Sequence, residues 1–153
     1  MYKSSKTYGH EVGLSSCFRQ HRADSHCRFL HGYALGVHFE FEADELDHNN
    51  WVIDFGGLKS MKEWLADNFD HRLILASDDP HMEELSCLED FGLARIIVLD
   101  NVGCEAFAVH IGHYAERWLE ENGHAPRVRL SRVTVREHGA NSASWCPARE
   151  GVV

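Results

Sequence analysis

Residues 33–42 alternate strictly. Tyr33, Leu35, Val37, Phe39 and Phe41 are apolar or aromatic, and Ala34, Gly36, His38, Glu40 and Glu42 are small or polar. Successive strand side chains point to opposite faces, so this run predicts an antiparallel strand with one buried and one wet face. His31 is in phase with the apolar set and shares the buried face with Tyr33, whereas His38 falls on the other face. Asp47-His48-Asn49-Asn50 reads as a turn. Leu58, Met61 and Leu65, with Phe69 beyond, recur at helical spacing and predict a helix over 56–67. Residues 70–100 are less regular: Asp79-Pro80 and Gly92 bracket a short helix, and 94–99 reads as a short strand. Cys104, Phe107, Ala108, Ile111, Ala115, Trp118 and Leu119 form one apolar stripe, which predicts a helix over 104–121 that Gly123 ends. Val128 and Leu130, then Val133 and Val135, alternate with arginines. The phase slips between Leu130 and Val133, the mark of a bulge. Glu137 keeps the phase of Val133 and Val135, so it ends that strand on the apolar side. A last strand over 143–146 completes the order.

This order predicts an α+β domain spanning 1–153, an antiparallel sheet with helices on one face. Such a sheet has edges to satisfy, which favours a homo-oligomer. With 153 residues, 44% of them hydrophobic, the protein is long enough to bury a sizeable core. No apolar run approaches the roughly 20 residues a membrane span requires, and the N-terminus lacks the apolar core of a secretory signal. Five scattered cysteines without a CxxC pair fit a reduced, cytoplasmic setting better than a disulfide scaffold. The formal net charge of −9 argues against nucleic acid or an anionic membrane as partner, while leaving room for a small phosphorylated substrate.

Twelve histidines direct attention to metal and proton chemistry. His21 and His31, near the facing ends of adjacent strands, could bind a metal ion, though their spacing alone favours surface or hydrogen-bonded histidines. Cys27 shares a loop with His21, Arg22, His26 and Arg28, a basic setting that favours thiolate; the alternative is a buried, inert cysteine. Asp70 beside His71 can fix an imidazole tautomer for acid–base work, provided the two side chains meet. Glu105 opens the second helix, where the helix dipole alone favours a carboxylate. Glu137, facing the apolar side, requires donors, and a guanidine-like ring edge offers two in parallel.

Taken in order, His21, Cys27-Arg28-Phe29-Leu30-His31-Gly32-Tyr33, Asp54-Phe55, Asp70-His71, Gly103-Cys104-Glu105 and Val135-Arg136-Glu137 resemble the 6-pyruvoyltetrahydropterin synthase family, within it the 6-carboxytetrahydropterin synthase branch. The family pattern is an apolar strand ending in His, then Cys-x-x-x-His-Gly-His, a "DF" step into a helix, an Asp-His pair, a Pro-Thr-x-Glu helix start and a late strand ending in Glu. The resemblance implies the tunnelling fold (T-fold), a four-stranded antiparallel sheet with two main helices on one face, assembled as a hexamer of two trimers with sites between subunits. It implies zinc held by three residues at His21, His31 and Tyr33, with Cys27 as the proton-abstracting base. It further implies that Asp70 and His71 relay protons, and that Glu137, supported by Glu105, anchors the pterin. The implied substrate is 7,8-dihydroneopterin triphosphate, and the implied route leads to queuosine and related 7-deazapurines. Three positions depart from the pattern. Tyr33 replaces the second histidine of His-Gly-His, as a metal ligand or as the first aromatic of the buried strand face. Val102-Gly103 replaces Pro-Thr. The 72–100 connection is longer. These departures admit two rivals: a pterin- or purine-binding module that has lost catalysis, and a related pterin enzyme using another metal such as iron.

Overall fold

The computed structural model describes residues 1–148. Its elements run β1 (Tyr2–Tyr8), β2 (Leu14–Phe18), β3 (His31–Ala43), α1 (Lys59–Phe69), β4 (Arg72–Ala76), α2 (Met82–Asp90), β5 (Ile96–Leu99), α3 (Cys104–Glu121), β6 (Val128–Arg136) and β7 (Ser142–Trp145).

The long strand β3 organises the sheet. β1 pairs with its second half, Tyr2 opposite Ala43 through Tyr8 opposite Val37, and β2 pairs with its first half, Leu14 opposite Leu35 through Phe18 opposite His31. β1 and β2 therefore lie end to end along one flank of β3, with a short 3-10 turn at His10–Val12 between them. β6 runs antiparallel along the other flank and β7 pairs with β6. Counted by position, this is the expected antiparallel sheet of four. Two further strands extend it: β4 pairs parallel with β2, and β5 parallel with β4. Strand pairing on β2 and β4 is thus parallel where antiparallel pairing was expected throughout, because α1 and α2 each carry the backbone back across before the next strand.

Periodicity located the main elements well. The helix over 104–121 matches α3, and the helix expected over 56–67 begins as a 3-10 turn at Phe55–Leu58 and continues as α1 to Phe69. The slip between Leu130 and Val133 is a bulge: Glu40 faces Arg132 and Phe41 faces Leu130, leaving Ser131 without an opposite residue. Its hydroxyl donates to the Glu40 carbonyl at 3.2 Å.

One face of the sheet is dry. Leu35, Val37, Phe39, Phe41 and Ala43 of β3 and Val133 and Val135 of β6 are buried against Met61, Leu65 and Phe69 of α1 and Phe107, Ile111 and Ala115 of α3. The other face carries a charge ladder across β1, β3 and β6, in which Arg132 meets Glu40 at 3.4 Å and Arg129 meets Asp44 at 3.0 Å. Helix α2 buries none of its residues and stands outside this core. Among the described residues, no helix is long and apolar enough to cross a membrane.

Candidate active site

The start of β3 lies where β2 ends and α3 begins. Antiparallel register sets Phe18 opposite His31 and Ser16 opposite Tyr33. Gly32 between them is required by close approach, since a Cβ there would collide with the Ser16 carbonyl oxygen. His31 and Tyr33 both point to the dry face, as the alternation predicts. Their rings meet edge to face, centroids 5.7 Å apart. Phe18 completes the group at 5.0 Å from His31 and 6.3 Å from Tyr33, and it is itself backed by Phe107 of α3 at 5.2 Å. His31 Nδ1 lies 2.8 Å from the Phe29 carbonyl. A carbonyl only accepts, so Nδ1 carries the proton and neutral His31 keeps its Nε2 lone pair.

Around Tyr33 gather the other sulfur and carboxylate groups. Burial raises its phenol above the usual value, and the charges of Glu137, Cys27 and Cys104 push in the same direction. Cys104, buried at the start of α3, is pushed up to about 12, first by burial and then by Glu137 and Glu105. The backbone at Glu137 and Ala143 opposes the rise. Cys104 is thus a neutral thiol in the wall of the site. Glu137 stands just past the end of β6, its own N–H donating to the Asn141 carbonyl at 3.2 Å. Its neighbour His138 brings a ring to 5.8 Å from Tyr33.

The Cys27 loop is tied down by backbone. The Gln20 N–H donates to the Cys27 carbonyl at 2.9 Å, and Ser25 caps the short turn His26–Arg28. The expected cationic cluster around the thiol is spent elsewhere. Arg22 pairs with Asp78, and Arg28 lies over the Phe29 ring at 5.0 Å. Gln20 also reaches α3, donating to the Val102 carbonyl at 2.8 Å. There Gly103, at φ 104°, adopts a conformation that favours glycine and leaves room for the Gln20 amide. Glycine at this position, where the family pattern has Thr, thus has a packing reason. Glu105 follows in the exposed first turn of α3.

Asp70 and His71 do meet: Asp70 Oδ1 is 2.7 Å from His71 Nδ1. Asp70 caps α1, and His71 takes a left-handed φ of 53° that turns its ring outward. The imidazole side chain is 84% exposed in the single subunit. His71 and Tyr33 line a common groove of about 730 Å³ together with Ser15, Leu88 and Leu93. The 72–100 segment thus contributes a wall to that groove, through α2 and the turn after it.

Strand β2 ends at Phe18, and His21 lies in the turn beyond it, with Nε2 3.6 Å from Asp78 Oδ1. Among the described residues no three His, Cys, Asp or Glu side chains form a group able to hold a metal ion. A zinc site takes three or four nitrogen, sulfur or oxygen donors around one point. Around His31 the nearest rings are a phenyl, which has no donor atom, and a protonated phenol. This set does not fit the zinc that the resemblance implies.

Phe18, Gln20, Asp78 and His138 escaped the sequence reading. His138 adjoins Glu137 and carried a signal in that adjacency. Phe18 carried one in phase, since Leu14, Ser16 and Phe18 are the buried positions of β2.

Comparison with known proteins agrees over nearly the whole length. Residues 9–148 match the family model described as 6-pyruvoyl tetrahydropterin synthase. The 6-carboxy-5,6,7,8-tetrahydropterin synthase of Rickettsia typhi is 30% identical over 117 residues, covering 72% of this chain and 83% of that protein. The protein of the same name from Aquifex aeolicus is 25% identical over 147 residues, covering 95% and 88%. Among solved structures, an uncharacterized protein from Wolinella succinogenes superposes with a TM-score of 0.81 at 20% identity, covering 96% of this chain and 98% of that one. The 6-pyruvoyl tetrahydropterin synthase of Plasmodium falciparum superposes with a TM-score of 0.66 at 14% identity, covering 95% and 98%. At these identities the likeness is one of fold, the T-fold.

Proposed function

The chain belongs to the 6-pyruvoyl tetrahydropterin synthase family, and we propose that it is a pterin enzyme of the 6-carboxytetrahydropterin synthase type. What supports this reading is the family match over residues 9–148, with Glu137, Cys27 and Cys104 each near enough to raise the Tyr33 phenol where β3 starts.

In this reading Glu137 accepts two parallel hydrogen bonds from the guanidine-like edge of a dihydropterin. The neutral Cys104 thiol and the Tyr33 ring wall the slot. Glu105, at the exposed start of α3, supports the anchor from the rim. The substrate is 7,8-dihydroneopterin triphosphate. Conjugation with the ring C=N acidifies the adjacent C–H of its substituent, and Cys27 as thiolate removes that proton. The Asp70–His71 pair takes and returns the hydroxyl proton. With 84% of its side chain exposed, His71 suits the edge of a site completed by a second copy, in a homo-oligomer built from trimers. Loss of triphosphate and cleavage of the substituent with uptake of one water then yield 6-carboxytetrahydropterin and acetaldehyde, a step toward queuosine-type 7-deazapurines, in the cytoplasm. No step here runs through a metal.

The second reading, a pterin-binding member without turnover, is favoured by one observation: Phe18 and Tyr33 flank His31 with rings in place of metal donors. Product analysis separates the two. The enzyme reading expects wild-type protein to convert 7,8-dihydroneopterin triphosphate to 6-carboxytetrahydropterin, followed by mass spectrometry, and Cys27→Ala to abolish conversion while keeping the assembly. Binding without conversion selects the second reading, and conversion by Cys27→Ala at the wild-type rate removes Cys27 from the mechanism.

A further inference from the structure

We infer that this protein has exchanged the zinc site of its family for a partly buried aromatic cluster, in which Phe18 and Tyr33 occupy the two ligand positions flanking His31.

The family pattern ends the strand before the Cys27 loop in histidine. Here that strand is β2, and its last residue is Phe18. Register, not resemblance of residue type, identifies the equivalent position. Phe18 is directly opposite His31 in the ladder, on the same dry face, with ring centroids 5.0 Å apart. A donor at the end of β2 would have to come from position 18, and a phenyl offers none. The second histidine of His-Gly-His is Tyr33, two residues along the same strand face. The histidine nearest in sequence to the lost ligand, His21, lies past the strand end and faces Asp78, whose other oxygen pairs with Arg22.

Both exchanges are packed rather than merely tolerated. Phe18 is 1% exposed and set edge-on to Phe107, itself fully buried. Tyr33 bridges His31 and His138. The three rings Phe18, His31 and Tyr33 on β2 and β3 contact one another and are backed by Phe107 of α3. The remaining histidine keeps one free nitrogen, which is too few donors for a structural or catalytic zinc.

The test measures metal directly and is independent of turnover, so it stands whether or not the enzyme reading holds. Tag-free wild-type protein, stripped with chelator, is incubated with zinc chloride and desalted, and its zinc is measured by elemental analysis. The same is done for His31→Ala, His21→Ala and the rebuilt variant Phe18→His/Tyr33→His, with folding checked by circular dichroism. The expected result is no stoichiometric zinc on wild type. The rebuilt variant should bind about one zinc per subunit and show tetrahedral absorption with cobalt in its place. Stoichiometric zinc on wild type that is lost in His31→Ala or His21→Ala would overturn the inference. So would a folded rebuilt variant that gains none. If the rebuilt variant does not fold, the wild-type and single-variant measurements decide alone.

Discussion

Asp70 Oδ1 lies 2.7 Å from His71 Nδ1, and the same oxygen accepts the Ser15 N–H at 3.3 Å. The carboxylate is thus held by the first residues of β2 while it fixes which nitrogen of His71 faces outward. Asp70→Asn keeps the shape but turns an obligate acceptor into a group that can also donate. Turnover should fall by roughly 10²-fold or more, in line with loss of a positioned acid–base group. The circular dichroism spectrum should not change. Wild-type turnover in the variant would show that the pair is ornamental.

The thiol of Cys104, pushed up to about 12, should remain protonated and inert under ordinary alkylation. At about pH 8, iodoacetamide should modify the exposed Cys87 and Cys146 and spare Cys104. Peptide mapping by mass spectrometry reads this directly. Modification of Cys104 as fast as Cys87 would contradict the buried, neutral thiol.

His110 sits between α1 and α3 against Trp64, at 5.4 Å, and Phe69, at 6.4 Å. Burial lowers its pKa, with the charges of Arg117 and His113 acting in the same direction. His124 is lowered as well, chiefly by burial. A base whose folded pKa is depressed takes its proton more readily when unfolded. Stability is therefore full above the unfolded value of about 6.5 and declines as pH falls below it, until the folded pKa is passed. His110→Leu should flatten part of the fall in Tm between about pH 7 and about pH 5. Parallel Tm curves for variant and wild type would remove His110 from the acid response.

Gly32 tests the register itself. In Gly32→Ala the new Cβ would meet the Ser16 carbonyl, which belongs to the ladder and cannot turn aside. Overpacking of this kind costs about 1–3 kcal/mol. Denaturant unfolding should show a loss of that order, together with weakened pterin binding because His31 and Tyr33 flank the glycine. An unperturbed Gly32→Ala would mean that β2 and β3 lie further apart.

Much of this was legible in the sequence because it is periodic. β3, α3 and the bulge at Ser131 each announce themselves in the spacing of apolar residues. β1 did not: it is an edge strand whose seven residues, Tyr-Lys-Ser-Ser-Lys-Thr-Tyr, are mostly polar, and only Tyr8 is buried. β4 is too short and too uniformly apolar, Leu73 to Ala76, for a period to show, and its parallel pairing depends on partners distant in sequence. The cluster at Tyr33 was partly legible, since Glu137 and Tyr33 follow from strand phase. Phe18 was legible only as a buried position of β2, because a phenyl carries no donor and nothing in its own segment marks it as the partner of His31. Which residue faces His31 is decided by β2–β3 register, a property of two segments that neither spells out alone.

Recognition of a pterin through the Glu137 carboxylate is the central proposal, and titration calorimetry of chelator-treated protein with 7,8-dihydroneopterin tests it most directly. Wild type should bind without added metal, and Glu137→Gln should lose about 1.5–3 kcal/mol, the worth of a hydrogen-bonded charged partner. Equal affinity of the two proteins, or no binding by wild type, would contradict it.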